Sequence, residues 1–354
     1  MAPVELTLEI TPRARIDVMD VRSRAAELHG DTLEAFPHCL YSSPHTTAGY
    51  LPQSLATRLS ARSNGIDHYL ELLKTTFPEG AGYQHDELDL RHDLPPGQKE
   101  TEPTNGDSHL AFIAGGLNPC VSYLTSRPGP VYFIDLDGVY EGTPRRRMTT
   151  IVGYSGEQVV ARTTLQVPVS PHPIDAVNLK QPGLGLYTQL AEFIEHHGVE
   201  KGRVRLELAS GEQYASLTVN EYETLLMQHD LAEVLRNPFR FAAAKARNAW
   251  SDPRALPNRA LDYAKYDLVY ALNQLMDALG LSASKVERIM ARALAVPASR
   301  FLRMRRSVDL LVSDARTPGH GRVIDGTYQT PIMIQWRSAP EGTRSVDVTL
   351  SRFR

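Results

Sequence analysis

The 354-residue chain has few cysteines, few aromatic residues and no excess of one charge. Its two cysteines, Cys39 and Cys120, are too few for a disulfide framework, and no C-x-x-C pair is present, so a reducing compartment is expected. The 38 basic and 41 acidic residues nearly balance, which argues against a protein that lives on nucleic acid or on an anionic membrane. Motifs of P-loop enzymes, dinucleotide-binding enzymes, zincins and serine hydrolases are also absent.

No stretch of the sequence is long and apolar enough for a membrane helix, and the first 30 residues lack the apolar core of a secretion signal. The sequence therefore predicts a cytoplasmic protein without a membrane partner. What the chain does have is 42% hydrophobic residues, which is enough for sizeable cores. The length suggests two domains.

Alternating apolar residues predict strands at Val4–Ile10, 119–125, 131–137 and 147–153, and helical spacing covers 54–78. An acidic, turn-rich loop at 79–108 is long enough to be functional. The proline-rich stretch 156–181 is interpreted as a linker. The prediction is therefore a first domain at 1–155 and a second at 182–354, with a helical insert at about 236–306.

Comparison of the chain with itself indicates a degenerate tandem duplication. At an offset of 168, His45-Thr46-Thr47-Ala48 falls on Gln213-Tyr214-Ala215-Ser216. At an offset of 200, Glu141-Gly142-Thr143 falls on Glu341-Gly342-Thr343. The alternative, at this level, is chance matching of common turn residues.

Several motifs of the chain resemble those of one family, and they are divided between its two halves. The first half contributes its histidine-bearing motifs: His45-Thr46-Thr47, Tyr83-Gln84-His85-Asp86, Ser108-His109-Leu110 and Leu136-Asp137-Gly138. The second half has Ala215-Ser216-Leu217-Thr218-Val219-Asn220-Glu221 and Gly326-Thr327-Tyr328-Gln329. In this set and order the motifs resemble YjbQ-like proteins, small chains described as having a secondary thiamine-phosphate synthase activity.

The resemblance implies an α+β fold, with two tandem YjbQ-like domains that each have a large mixed β-sheet and flanking helices. It also implies a divalent metal held by His45, His85 and His109. Zinc accepts such a set readily, iron or manganese are alternatives, and three imidazoles leave a position open for water or substrate.

Other polar residues in or beside these motifs are candidates for catalysis or substrate binding. Glu221, Asp86, Asn220 and Gln329 are the predicted catalytic residues, with Glu221 and Asp86 as candidates for proton transfer and the amides of Asn220 and Gln329 as candidates for holding substrate. Asp86 alternatively orients a metal ligand, or is an exposed loop acid, and Asn220 alternatively caps a helix. The predicted substrate-binding residues are Thr46, Thr47, Asp93 and Arg146.

Each half lacks family motifs that the other half keeps, and this favours one composite active site formed between the repeats. Fusion of two copies removes the requirement that each copy keep the full set of residues, so His45, His85 and His109 are expected to face Asn220, Glu221 and Gln329. The alternative is that the second half is a purely structural copy.

The predicted function is a metal-dependent transferase, lyase or hydrolase acting on a small phosphorylated or heterocyclic metabolite. The chain is expected to form a homo-oligomer, either a trimer or a pseudo-symmetric assembly, because the resemblance implies a family whose members form trimers. A second hypothesis is a non-catalytic ligand-binding or scaffold protein. A third, nucleic-acid binding through the arginine-rich segment 285–306, is disfavoured by the overall acidity.

Overall fold

The computed structural model describes residues 1–90, 97, 99–100, 102–172, 175–221 and 305–354. Asp93, nearly all of the predicted helical insert at 236–306 and most of the arginine-rich segment 285–306 lie outside these residues. The described part is an α+β structure, which confirms the predicted fold class. Its strands pair antiparallel throughout, so each repeat has a larger and a smaller antiparallel sheet in place of the one large mixed sheet that the family resemblance implies. No helix within the described ranges is both long and apolar enough to cross a membrane.

The first repeat begins with two strands, a helix and a third strand, and the first strand is the one predicted at Val4–Ile10. Its strands are β1 (Val4–Ile10), β2 (Asp17–Asp20), β3 (His38–Ser42), β4 (Ala48–Tyr50), β5 (Cys120–Leu124), β6 (Tyr132–Asp135), β7 (Val139–Tyr140), β8 (Thr143–Pro144) and β9 (Arg147–Tyr154). Its helices are α1 (Val21–His29), α2 (Gln53–Ser60), α3 (Gly65–Thr76) and α4 (Gly106–Gly115). The single helix predicted at 54–78 is thus two helices, and Asn64 between them has a left-handed backbone.

The second repeat repeats this order, with one helix in the described residues. Its strands are β10 (Glu157–Pro168), β11 (Asp175–Asn178), β12 (Gly202–Leu208), β13 (Ala215–Glu221), β14 (Ser307–Ser313), β15 (Arg322–Ile324), β16 (Gln329–Gln335) and β17 (Thr343–Phe353), and its helix is α5 (Leu186–His196). The interpretation of 156–181 as a linker is wrong, because β10 pairs along its length with β17 and β11 pairs with β16. Pro168 is the last residue of β10, a strand end being a position that tolerates proline.

The sheet topology supports the tandem duplication. The larger sheet has the strand order β1-β9-β3-β5 in the first repeat and β10-β17-β12-β14-β15 in the second. The smaller sheet has the order β2-β6-β4 in the first repeat and β11-β16-β13 in the second. Each strand therefore has its counterpart in the same place, apart from the added β15 and the β7–β8 hairpin.

The register of the strands corrects the repeat offset near β4 by one residue. Ala48 lies opposite Asp135, which binds Arg147, and Ala215 lies opposite Gln335, which binds Arg344. The structural offset is therefore 167 rather than 168, which puts Glu212, and not Gln213, at the position of His45.

The larger sheets of the two repeats pack face to face through one apolar cluster. It contains Leu40, Cys120, Val152 and Tyr154 from the first repeat and Leu311 and Phe353 from the second. The second repeat also has a core of its own, whereas the core of the first repeat includes Ile332 and Ile334 of β16, so the smaller sheet of the second repeat packs against it as well. Strand β13 of the smaller sheet contacts helix α4 of the first repeat, and the candidate site lies at the end of this strand.

Candidate functional site

His109 lies on α4, a helix whose ten residues are all buried between the first repeat's core and β13. Its Nδ1 is 2.6 Å from Asn220 Oδ1, which also accepts the backbone N–H of Glu221 at 2.7 Å. Because an amide oxygen can only accept, Nδ1 of His109 donates the proton in this bond. The other nitrogen, Nε2, then has the lone pair in the neutral ring and lies 3.6 Å from Glu221 Oε2.

His85 lies in a short 3-10 turn, Gln84–Asp86, and is also buried. Its Nδ1 is 3.0 Å from Asp86 Oδ1, which accepts the N–H of Gly106 at the start of α4 at 2.9 Å. The carboxylate therefore fixes the orientation of the ring and leaves the lone pair on Nε2. The rings of His85 and His109 are 5.2 Å apart, so the two imidazoles lie side by side.

Three side chains from both repeats meet beside these rings. One potential ligand atom of each of His85, Glu102 and Glu221 lies within 4.8 Å of the other two. His85 and Glu221 are buried, and Glu102 is half-buried. An imidazole and two carboxylates at this spacing form a donor set that suits a divalent cation.

This group differs from the predicted set of three imidazoles. His85 belongs to it, but His45 and His109 do not. Glu221, predicted to handle protons, contributes a potential ligand atom instead. Glu102 was not predicted. The available signal was the length of the acidic loop 79–108, in which it lies, because a loop of that length is typical of a functional segment.

The ring of His45 is used by the fold. Its Nε2 accepts the backbone N–H of Met148 at 2.9 Å, and burial, assisted by the positive charge of Arg147, lowers the pKa of His45 to about 4. In the second repeat Glu212 does the same, because its Oε1 accepts the N–H of Ser345 at 2.7 Å. A position filled by His in one repeat and Glu in the other, with the same backbone bond, is a structural position.

Gln329 positions the loop that carries His45 and does not present its amide to the cleft. Its Nε2 donates to the backbone carbonyls of Ser43 and His45, at 2.9 and 3.0 Å. Gly326 of the same turn lies so close to Pro44 O that a Cβ there would overlap it. The prediction that Gln329 is catalytic is therefore replaced by a role in joining the two repeats.

A cleft of about 530 Å³ opens beside the cluster and has walls from both repeats. Thr46, Thr47, Glu102 and Glu221 line it. Thr47 is buried and Thr46 half-buried, so the cleft includes both predicted threonines.

The prediction that Arg146 binds substrate is wrong. Arg146 is exposed and pairs with Glu9 at 2.6 Å, whereas Arg145 and Arg147 line the cleft. Side chains in an extended segment point alternately to its two faces, so a prediction that is wrong by one residue names a side chain on the opposite face. Arg147 is buried and bound by Asp135 through two bonds, of 2.7 and 2.9 Å. Arg145 makes one ion pair, with Asp137 at 3.0 Å, and is only half-buried, so it is the better candidate.

No family model and no curated protein matches the chain. Among solved structures it is similar to a YbjQ-like protein of unknown function from Sulfolobus solfataricus, with 15% identity and a TM-score of 0.31, over 56% of this chain and 99% of that one. A hypothetical protein from Aeropyrum pernix has 15% identity and a TM-score of 0.31, over 54% and 97%.

An uncharacterized conserved protein of the YjbQ family from Clostridium acetobutylicum has 13% identity and a TM-score of 0.26, over 53% of this chain and 98% of that one. None of these descriptions assigns a substrate or an activity. The solved structures to which the chain is similar thus include YjbQ-like proteins, the same family that its sequence motifs resemble.

Proposed function

We propose that the chain is a metal-dependent enzyme with a single active site between its repeats, acting on a small metabolite. The observation that carries the proposal is the convergence of His85, Glu102 and Glu221 within 4.8 Å beside a cleft of about 530 Å³. Glu221 comes from the second repeat and the other two from the first, so neither repeat has the complete set.

The surroundings of the cluster fit a metal site. Asp86 orients His85 through Nδ1, as carboxylates commonly orient the imidazoles of metal sites. One imidazole and two carboxylates suit zinc, iron or manganese, and such a set leaves coordination positions open. A bound ion would supply Lewis acidity or an activated water.

The chain's own residues supply the proton chemistry. His109 is positioned for acid–base work, because Asn220 holds the proton on Nδ1 and directs Nε2 toward Glu221 at 3.6 Å. Asp86 and Asn220 therefore act through the two imidazoles, as positioning residues. Arg145 and Arg316, which both line the cleft, are the candidate partners for an anionic group such as a phosphate.

The reaction class is a transferase, lyase or hydrolase reaction, and thiamine-phosphate formation is what the family resemblance implies. The non-catalytic hypothesis has no feature of the described residues in its favour over this one.

Elemental analysis of the purified protein tests the metal site. We expect about one ion per chain when zinc, iron or manganese is supplied, and its loss in His85→Ala and Glu221→Gln. His45→Ala is the matched control and should retain the ion, because the ring of His45 accepts a backbone N–H outside the cluster. Absence of bound metal under all three supplies, or its loss in His45→Ala but not in His85→Ala, would contradict the proposal.

A further inference from the structure

Two of the three side chains in the candidate metal cluster, His85 and Glu102, come from the acidic loop 79–108. An early and a late part of this loop meet beside His85. Asp86 Oδ1 accepts the N–H of Gly106 at 2.9 Å, and a Cβ at Gly106 would lie 3.0 Å from the Cβ of His85. The placement of His85 and Glu102 therefore depends on what holds the ends of the loop together.

Arg15, in the connection between β1 and β2, binds both ends of this loop. Its Nη1 and Nη2 donate to the two carboxylate oxygens of Asp107, each at 2.9 Å. Its Nε lies 3.2 Å from Glu79 Oε1. Glu79 is the first residue of the loop and Asp107 the last but one, so a single guanidinium closes the base of the loop.

The backbone that carries Arg15 is itself fixed. The carbonyl of Arg15 accepts the N–H of Gly138 at 2.7 Å. A Cβ at Gly138 would come 2.5 Å from the Cβ of Pro12 and 2.8 Å from Ala14 O, so the segment before Arg15 packs closely on this glycine. Since Gly138 follows Asp137, which lines the cleft, the guanidinium extends from a backbone that is joined to the cleft wall.

The two ion pairs of Arg15 differ in strength. Asp107 is buried, with 6% of its side chain exposed, and accepts the bidentate bond for which a guanidinium is suited. Removal of Arg15 would leave this buried carboxylate without that charge, which is strongly unfavourable. The side chain of Glu79 is 61% exposed, so its ion pair contributes less.

We propose that Arg15 is a positioning residue of the candidate metal site. By binding both ends of loop 79–108 it holds His85 and Glu102 at the spacing at which they bind an ion together with Glu221. The inference rests on the proposed function for the presence of that ion. An ion pair that served only the stability of the fold would leave the metal affinity of the folded protein unchanged, and this difference can be measured.

Two measurements on the full chain test the inference. Zinc affinity is measured by competition with a chromophoric chelator, under conditions in which circular dichroism shows each variant to be folded. Amide hydrogen exchange of the metal-free chain reports on the loop itself, at the hydrogen-bonded amides of Asp86, Glu87 and Gly106. Exchange in β13, the strand that carries Glu221, is the internal reference.

We expect zinc affinity to fall about tenfold in Arg15→Ala, with one ion still bound per chain. The reason is that loss of the groups that orient metal ligands typically weakens metal binding by about 10- to 100-fold. Exchange at the three loop amides should become several-fold faster, while exchange in β13 stays the same.

Arg13→Ala is the matched control. Arg13 lies two residues before Arg15 and pairs with Asp17, with 77% of its side chain exposed, so its removal should change neither zinc affinity nor loop exchange. Arg15→Lys keeps the charge but not the planar fork, so it should restore part of the affinity that Arg15→Ala loses. Glu79→Gln removes the exposed ion pair alone and should lower zinc affinity by about two- to threefold.

Zinc affinity and loop exchange in Arg15→Ala equal to those in Arg13→Ala would overturn the inference. An increase in exchange that is as large in β13 as in the loop would also overturn it, because that pattern indicates a general loss of stability. If Arg15→Ala does not fold, Arg15→Lys and Glu79→Gln decide, and wild-type zinc affinity in both would count against a positioning role.

A wild-type chain that binds no metal would refute the proposed function separately. In that case faster loop exchange in Arg15→Ala would retain the role of Arg15 in holding the loop, and unchanged exchange would overturn it.

Discussion

At the scale of single residues, the site depends on which nitrogen of each histidine the fold uses. In His85 and His109 a neighbouring oxygen holds Nδ1, so that Nε2 has the lone pair. In His45 the fold itself uses Nε2, through the N–H of Met148. The motif resemblance treats the three histidines alike, because a sequence does not record ring orientation. The structure separates one imidazole that the fold uses through Nε2 from two whose Nε2 is left beside the candidate site.

His45 predicts a pH dependence of stability. Its pKa is about 4 in the folded chain, against about 6.5 for an unperturbed histidine, so between these values the unfolded chain binds a proton that the folded chain does not. The contribution of His45 to the free energy of unfolding should therefore be constant above pH 6.5. It should fall by about 3 kcal/mol as the pH falls from there to 4.

The variant His45→Gln keeps a hydrogen-bond acceptor but does not titrate, so it should lose this part of the slope in urea unfolding measured across that range. His45→Ala should also lose the slope and be less stable at pH 7, because Met148 N–H loses its acceptor. An identical slope in wild type and His45→Gln would show that His45 does not cause it.

At the scale of elements, the turn before β16 connects the second repeat to the His45 loop of the first. Lys180 binds Asp325 at 2.7 Å, and Gln329 donates to the carbonyls of Ser43 and His45. Gly326 allows the two backbones to approach, because any Cβ there would overlap Pro44 O. The sequence motif places Gly326 and Gln329 together, but only the fold explains why a glycine is needed.

We expect Gly326→Ala to separate this turn from the His45 loop. The free energy of unfolding should fall by about 1–3 kcal/mol, and amide hydrogen exchange should speed up at residues 43–47. Gly156→Ala is the control, since a Cβ at Gly156 meets no atom within 4 Å. Similar exchange rates in the two variants would contradict the proposed role of the turn.

At the scale of the whole molecule, the two larger sheets pack against each other and join the two repeats that contribute residues to the candidate site. Tyr154 stacks on Phe353 with ring centroids 4.1 Å apart, and Leu311 is fully buried in the same cluster. At the edge of this contact, Glu5 of the first repeat accepts from Lys201 and Ser313 of the second. Further assembly into a trimer or a smaller pseudo-symmetric unit stays a prediction.

Because both repeats share this packing, we expect them to unfold together. Leu311→Ala should lower the free energy of unfolding by about 2–5 kcal/mol and reduce the hydrogen-exchange protection of β3 as well as β12. Val204→Ala, in the second repeat's own core, is the control. Any loss of hydrogen-exchange protection in this variant should be larger in β12 than in β3. Loss confined to the second repeat in Leu311→Ala would show that the repeats are independent.

The sequence by itself determined the fold class, the duplication and most of the residues that meet between the repeats. Hydrophobic periodicity and motif order are local properties, and a duplicated topology brings matching motifs to matching places, which is why His85, His109, Asn220 and Glu221 could be assigned to one site. The choice of Arg146 over Arg145, the omission of Glu102 and the linker at 156–181 are the points where local patterns failed.

Only the tertiary structure decided what each of these residues does. His109 and Asn220 are 111 positions apart, and their bond depends on the packing of α4 against β13. A proton or a metal ion responds to atoms within a few ångströms, and those distances are set by side-chain orientation and strand register across the two repeats. Neither quantity is encoded in the spacing of residues along the chain.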